Sequence, residues 1–104
     1  MEQTNNETQI AQEHIDDLRQ LIEVAVNKIV DHPKEVRVDI VEARFRLVAE
    51  LHTSEKDVGQ VVGKNAAIIS SLRTFVAALG GKHGIPMNID YVTEKENRRR
   101  HRRS

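Results

Sequence analysis

The sequence contains no cysteine, and this one absence removes disulfides, thiolate zinc sites, iron–sulfur ligation and thiol nucleophiles from consideration. It also fits a cytoplasmic setting. Aromatic residues make up only 3% of the chain, so Leu, Ile, Val and Ala must fill the interior. That favours helices packed on a small sheet over an aromatic-rich sandwich. No apolar run approaches the ~20 residues of a membrane-spanning helix. The first seven residues, Met1 to Glu7, lack the positive flank and apolar stretch of a signal peptide. A soluble protein with no membrane association is expected. There is no G-x-S-x-G, Walker-type loop or dinucleotide fingerprint, and no Ser, His and Asp cluster that suggests a triad. An enzyme is therefore not expected. The five histidines, His14, His32, His52, His83 and His101, show no HxxxH or HxH spacing, so neither a metal nor another cofactor is expected. Glu13, Asp16 and Asp17 read as the hydrated side of a helix.

What is present fits one domain. A chain of 104 residues buries roughly two-thirds of its unfolded surface on folding, enough for one modest core without covalent staples. The 16 basic and 16 acidic residues cancel, but they are unevenly placed. Residues 1–23 carry a net −5, residues 24–92 a net +1, and residues 93–104 a net +4. Neutrality is the sum of two unlike ends.

The first dozen residues are polar and aperiodic, and read as a flexible lead-in. From Ile15 the apolar residues Leu18, Leu21, Ile22, Ala25, Val26, Ile29 and Val30 follow helical spacing. This predicts a helix over about 13–31, closed by Asp31-His32-Pro33. The period then drops to two. Val36, Val38 and Ile40 share one strand face, and Phe45, Leu47, Ala49 and Leu51 share another. These two strands predict a hairpin with its turn near Val41–Arg44. Ser54-Glu55-Lys56-Asp57 resembles a capping box and opens a short helix carrying Val58, Val61 and Val62. A longer helix follows, with Ile68, Ile69, Leu72, Phe75, Val76 and Leu79 at helical spacing, and Gly80-Gly81 placed to end it. Met87, Ile89 and Tyr91 alternate on a last strand. The order is α-β-β-α-α-β, an α+β domain over residues 13–92, with residues 93–104 as a basic tail.

Between the two helices lies Gly63-Lys64-Asn65-Ala66. A short helix stops at a glycine and another begins almost at once, leaving an exposed corner with free N–H groups, the positive end of a helix dipole and the Lys64 charge. A phosphodiester backbone suits such a corner. Gly63 has no side chain to obstruct it, and walls at Val58 and Val62 are suited to unstacked bases.

On Asp57-Val58-Gly59, Val61-Val62-Gly63-Lys64-Asn65-Ala66 and Leu72-Arg73, the chain resembles the KH family, and within it the small bacterial KhpA-type single-domain RNA-binding proteins. The resemblance spans about residues 15–92 and implies a type II KH fold, a three-stranded sheet with helices on one face. It implies single-stranded RNA binding, with about four nucleotides held between the G-x-x-G corner and a groove beside it. It further implies a post-transcriptional regulator or RNA chaperone that self-associates, pairs with a larger KH-containing KhpB-type protein, or does both. Two positions depart from the pattern: Ala66 stands where the motif has its second glycine, and Ala67 where a base is common. With helical dihedrals at 66, alanine would be the better residue by roughly 1 kcal/mol.

The tail, Asn97 to Ser104, holds five arginines. Arg98, Arg99 and Arg100 are candidate phosphate contacts that would add affinity and salt dependence without sequence choice. A fold-back of the tail onto Glu13, Asp16 and Asp17 is the other reading of the same charges. The alternative function is a KH-shaped dimerisation module with weak or lost RNA binding. Ala66, Ala67 and an exposed side of the third helix near Ile69 motivate it.

Overall fold

The computed structural model describes residues 2–93, and the side chains of residues 13–93. The basic tail from residue 94 lies outside them. Six main elements follow the expected order: α1 (Glu2–Asn27), β1 (Arg37–Ala43), β2 (Arg46–His52), α2 (Val58–Val62), α3 (Ala67–Lys82) and β3 (Met87–Tyr91).

The first helix is displaced from its expected span. It includes residues 2–12, whose polar sequence carries no helical periodicity, and its regular part ends at Asn27 rather than near 31. Beyond Asn27 the chain tightens, with the Ile29 and Val30 N–H groups both donating to the Val26 carbonyl. This turn still delivers Val30 to the core. Leu18, Ile22 and Val26, each four residues apart, are buried, whereas Leu21 and Val24 on the adjacent stripe are exposed. The apolar face is therefore wider than the part the core covers.

The sheet order is β1-β2-β3, with β1 antiparallel and β3 parallel to the central β2. Leu47, Ala49 and Leu51 of β2 are buried and pair with or flank Val38 on one side and Met87 and Ile89 on the other. Alternation places all of these on one face. There α1 lies over β1 and α3 over β3, giving the expected α+β arrangement. The other face carries a row of directly paired carboxylates, Asp39 opposite Glu50 and Glu50 opposite Asp90.

Further sequence expectations are corrected at the hairpin turn and at the end of α3. Ala43 pairs with Arg46, so the hairpin turn is Arg44-Phe45, two residues later than expected. Phe45 takes the left-handed φ of 63° the tight turn needs and is 86% exposed. It is not a core residue. Nor do Gly80-Gly81 end α3, which continues to Lys82. A Cβ on buried Gly80 would collide with the Ile85 carbonyl and come within 2.9 Å of Met87. Glycine there lets the chain entering β3 press against the helix.

Ser54 caps only partially, accepting a hydrogen bond from the Lys56 N–H at 3.2 Å. Asp57 does not return to Ser54 as in a capping box. Its side chain is fully buried and turned to the chain leaving α1. One oxygen accepts from the Asp31 N–H at 3.3 Å and lies 2.9 Å from the His32 Nδ1, and the other accepts from the His32 N–H at 2.9 Å. Burial alone raises the Asp57 pKa, but hydrogen bonds from the His32 side chain, the His32 N–H and the Asp31 N–H outweigh it and hold the pKa below the ordinary 3.8.

A carboxyl whose pKa is lower folded than unfolded stabilises the fold above about pH 4 and loses that contribution as pH falls through the folded value. Thermal melts between pH 7 and 2 are expected to show the wild-type midpoint dropping below pH 4. Asp57→Asn should start lower at pH 7 and lose less over the same acid range.

Candidate nucleic-acid interface

Residues 58–67 place the corner as expected between α2 and α3, and set its geometry by unusual dihedrals. Gly63 has φ 76° and ψ 172°, a combination essentially reserved for glycine. Lys64–Ala66 form a single 3-10 turn in which Asn65 (φ 56°, ψ 32°) and Ala66 (φ 60°, ψ 25°) are both left-handed. Asn accepts that conformation readily. Alanine does not, and holding it there costs about 1–2 kcal/mol. The helical dihedrals under which Ala66 would be the better residue are absent.

The reason for glycine at 63 also differs from the sequence reading. A Cβ there would point not to solvent but into Ile68, 2.7 Å from its Cγ1 and 2.9 Å from its backbone nitrogen. Gly63 is needed so that the first turn of α3 can close on the end of α2. The Ala66 side chain is likewise partly buried against the core, so its methyl faces inward more than toward a ligand.

The exposed surface of the corner is supplied by Lys64, Asn65 and Ala67. The Ala66 N–H donates to the Gly63 carbonyl at 3.2 Å and the Ala67 N–H to the Lys64 carbonyl. Among the described residues this leaves the Lys64 and Asn65 N–H groups as the unbonded main-chain donors of the turn. The Ala66 N–H is thereby used within the turn itself. Val58 and Val62 are half-buried beside it, and Val61 between them is fully buried. Arg98, Arg99 and Arg100 lie outside the described residues.

Sequence reasoning missed the support behind the corner. Asp57, at the start of α2, and Gln60, whose Nε2 donates to the Asp31 carboxylate at 2.8 Å, fasten α2 to residues 31–32. Asp57 was visible as a carboxylate three residues after a serine and as part of the family resemblance, and neither reveals a partner 25 positions upstream.

Elsewhere, α1 and α3 border an open apolar groove of about 350 Å³ lined by Ala25, Ile29, Ile68, Ser71, Leu72 and Phe75. Ile69, the expected exposed residue of this helix, is buried, and Phe75 is the exposed one. On the helix-free sheet face, folding gathers His52 with Asp39 and Glu50, ligand atoms lying within 4.8 Å of one another. Arg37 already holds Asp39 there, at 3.1 Å.

Substitutions at the two motif ends should act oppositely. Gly63→Ala is expected to cost about 3 kcal/mol, from strain and the Ile68 overlap. Ala66→Gly should stabilise by up to about 1 kcal/mol, since relief of the left-handed alanine exceeds the added chain entropy. Urea unfolding of both variants measures this.

Comparison with known proteins bears on the same segment. The family model described as KhpA/KhpB, KH domain, matches residues 19–90, which contain the corner, β1, β2, all of β3 but its last residue, and most of the helical packing. RNA-binding protein KhpA of Mycobacterium bovis is 38% identical over 68 residues, covering 65% of this chain and 84% of that protein. RNA-binding protein KhpA of Listeria monocytogenes is 32% identical over 75 residues, covering 72% and 99%. RNA-binding protein KhpA of Chlamydia pneumoniae is 23% identical over 78 residues, covering 75% and 100%. With the fold, the corner and these matches in agreement, the chain belongs to the KhpA/KhpB KH-domain family, a non-enzymatic family.

Proposed function

We propose that this protein binds single-stranded RNA through the Gly63-Lys64-Asn65-Ala66 corner. The observation that carries the reading is the exposed left-handed turn at 64–66, with two free N–H groups and a lysine, in a chain of this family. The Lys64 and Asn65 N–H groups donate to a phosphate, and the Lys64 ammonium supplies charge. Gly63 and Ala66 hold the turn in shape. Val58 and Val62 border the bases, and aliphatic walls of this kind accept any base by apolar packing, without selecting among them. Arg98, Arg99 and Arg100 add phosphate contacts that deepen the salt dependence. In this reading the protein is a cytoplasmic post-transcriptional regulator or RNA chaperone.

The protein acts as a homodimer, as a complex with a larger KhpB-type protein, or as both. The groove between α1 and α3, lined in part by exposed Phe75, together with the exposed Leu21 and Val24 of α1, supports such an association and is the observation behind the second reading, a dimerisation module with weak RNA binding. Exposed apolar side chains next to an apolar groove are a feature of many interaction surfaces. A dimer would also present two corners to one RNA and raise avidity.

A labelled ~10-mer RNA titrated into wild type, Lys64→Asp/Asn65→Asp and a chain ending at residue 97 tests the first reading. The double variant is expected to lose at least ten-fold in affinity. The shortened chain should bind more weakly and lose less affinity as salt is raised. Unchanged binding by both would overturn the reading. Light scattering of wild type and Phe75→Glu tests the second: a dimer converted to monomer supports it, and a wild-type monomer removes it.

A further inference from the structure

We propose that Asp57 is a positioning residue for the corner, holding α2 in the orientation that presents Lys64 and Asn65 to a ligand; this rests on the RNA-binding reading above. Asp57 is the only charged side chain among the described residues that is fully buried. It is spent on one contact region. Its two oxygens take the backbone N–H groups of Asp31 and His32 and the His32 Nδ1.

These donors belong to the reversal between α1 and β1, whereas Asp57 opens α2. Gln60, one turn later, reaches the Asp31 side chain from the same helix. Two fasteners thus join α2 to residues 31–32. The helix needs them, because at five residues it lies far below the length at which a helix sustains itself. Val61 is its single fully buried side chain, with Val62 partly buried against the core beside it, and so small an apolar contact constrains rotation about the helix axis only weakly. Asp57 and Gln60 fix the rotation. Gly63 follows directly, its N–H bonded to the Gly59 carbonyl, so any rotation of α2 is passed to the corner.

The chemistry at 57 also argues for more than filling space. A buried carboxylate is costly to desolvate, and apolar residues of similar size commonly stabilise such positions as well or better. What an apolar side chain cannot do is gather three converging donors. An asparagine offers one acceptor and one donor group, so it can satisfy only part of the set. The arrangement is suited to specifying one geometry.

The test uses the full chain with Asp57→Ala, Asp57→Asn and a control, Val76→Ala, which thins the core away from α2. Amide exchange is read at Gly63 and Ala66 against the β2 amides, and affinity for a labelled U10 RNA is read at a temperature where each variant is folded. Asp57→Ala is expected to accelerate exchange at Gly63 and Ala66 at least ten-fold more than in β2 and to weaken RNA binding at least five-fold. Asp57→Asn should fall between it and wild type. Val76→Ala should alter both regions together and change affinity less than two-fold. If Asp57→Ala and Val76→Ala behave alike at equal loss of melting temperature, or if Asp57→Ala leaves affinity unchanged, the positioning role is overturned. Should Asp57→Ala not fold, His32→Ala, which removes a single donor, carries the same comparison. A wild-type chain that fails to bind U10 refutes the RNA reading, and the exchange comparison then decides the positioning of the corner by itself.

Discussion

The fold depends on one constraint, the two-sided pairing of β2. This strand has a neighbour on each edge and helices over one face, so each of its inward residues must be apolar and of limited size. Leu47, Ala49 and Leu51 meet that demand, with Ala49 and Leu51 having no exposed surface. A one-residue slip of β2 would turn Arg46, Val48, Glu50 and His52 into the core, a register excluded by the cost of burying their charges. With β2 fixed, β1 and β3 are placed by their ladders and the two long helices by the apolar rows those strands present. The corner is then set at the end of α3 that leads back toward α2.

Much of this was legible in the sequence because it is written in periodicity. Leu18, Ile22 and Val26, the alternation through Leu47, Ala49 and Leu51, and the helical row through Leu72 and Val76 are local patterns with one geometric solution each. What was not legible involves positions where two geometries share a pattern. Phe45 continues the alternation of β2 by sequence, yet the tight turn takes it for a left-handed position. Gly80 sits where a helix-ending glycine would sit, but is selected by the approach of Ile85 and Met87. Both are decided by neighbours that spacing along the chain does not reveal.

The candidate site shows the same division. Its location between two helices, and its lysine and asparagine, were readable from residues 58–69. The reasons for its shape were not. Gly63 appeared to make room for a ligand and instead makes room for Ile68. Ala66 would be free of strain with helical dihedrals, and it is left-handed. The glycine at 63 is thus a packing device, and the alanine at the far end of the turn keeps its shape at a cost in backbone energy. Functional corners commonly store strain of this kind.

The parallel pairing of β2 with β3 has a consequence of its own. Leu47 is opposite Met87, 40 positions later in the chain, whereas the β1–β2 hairpin closes over two residues. The C-terminal strand is a clasp. It brings Met87, Ile89 and Val92 into the core, and everything between the two strands, including α2, the corner and α3, is the loop it closes. The chain entropy lost in closing that loop is recovered only when the last strand is seated. The surface at 63–66 therefore takes its final form with the seating of residues some twenty positions beyond it.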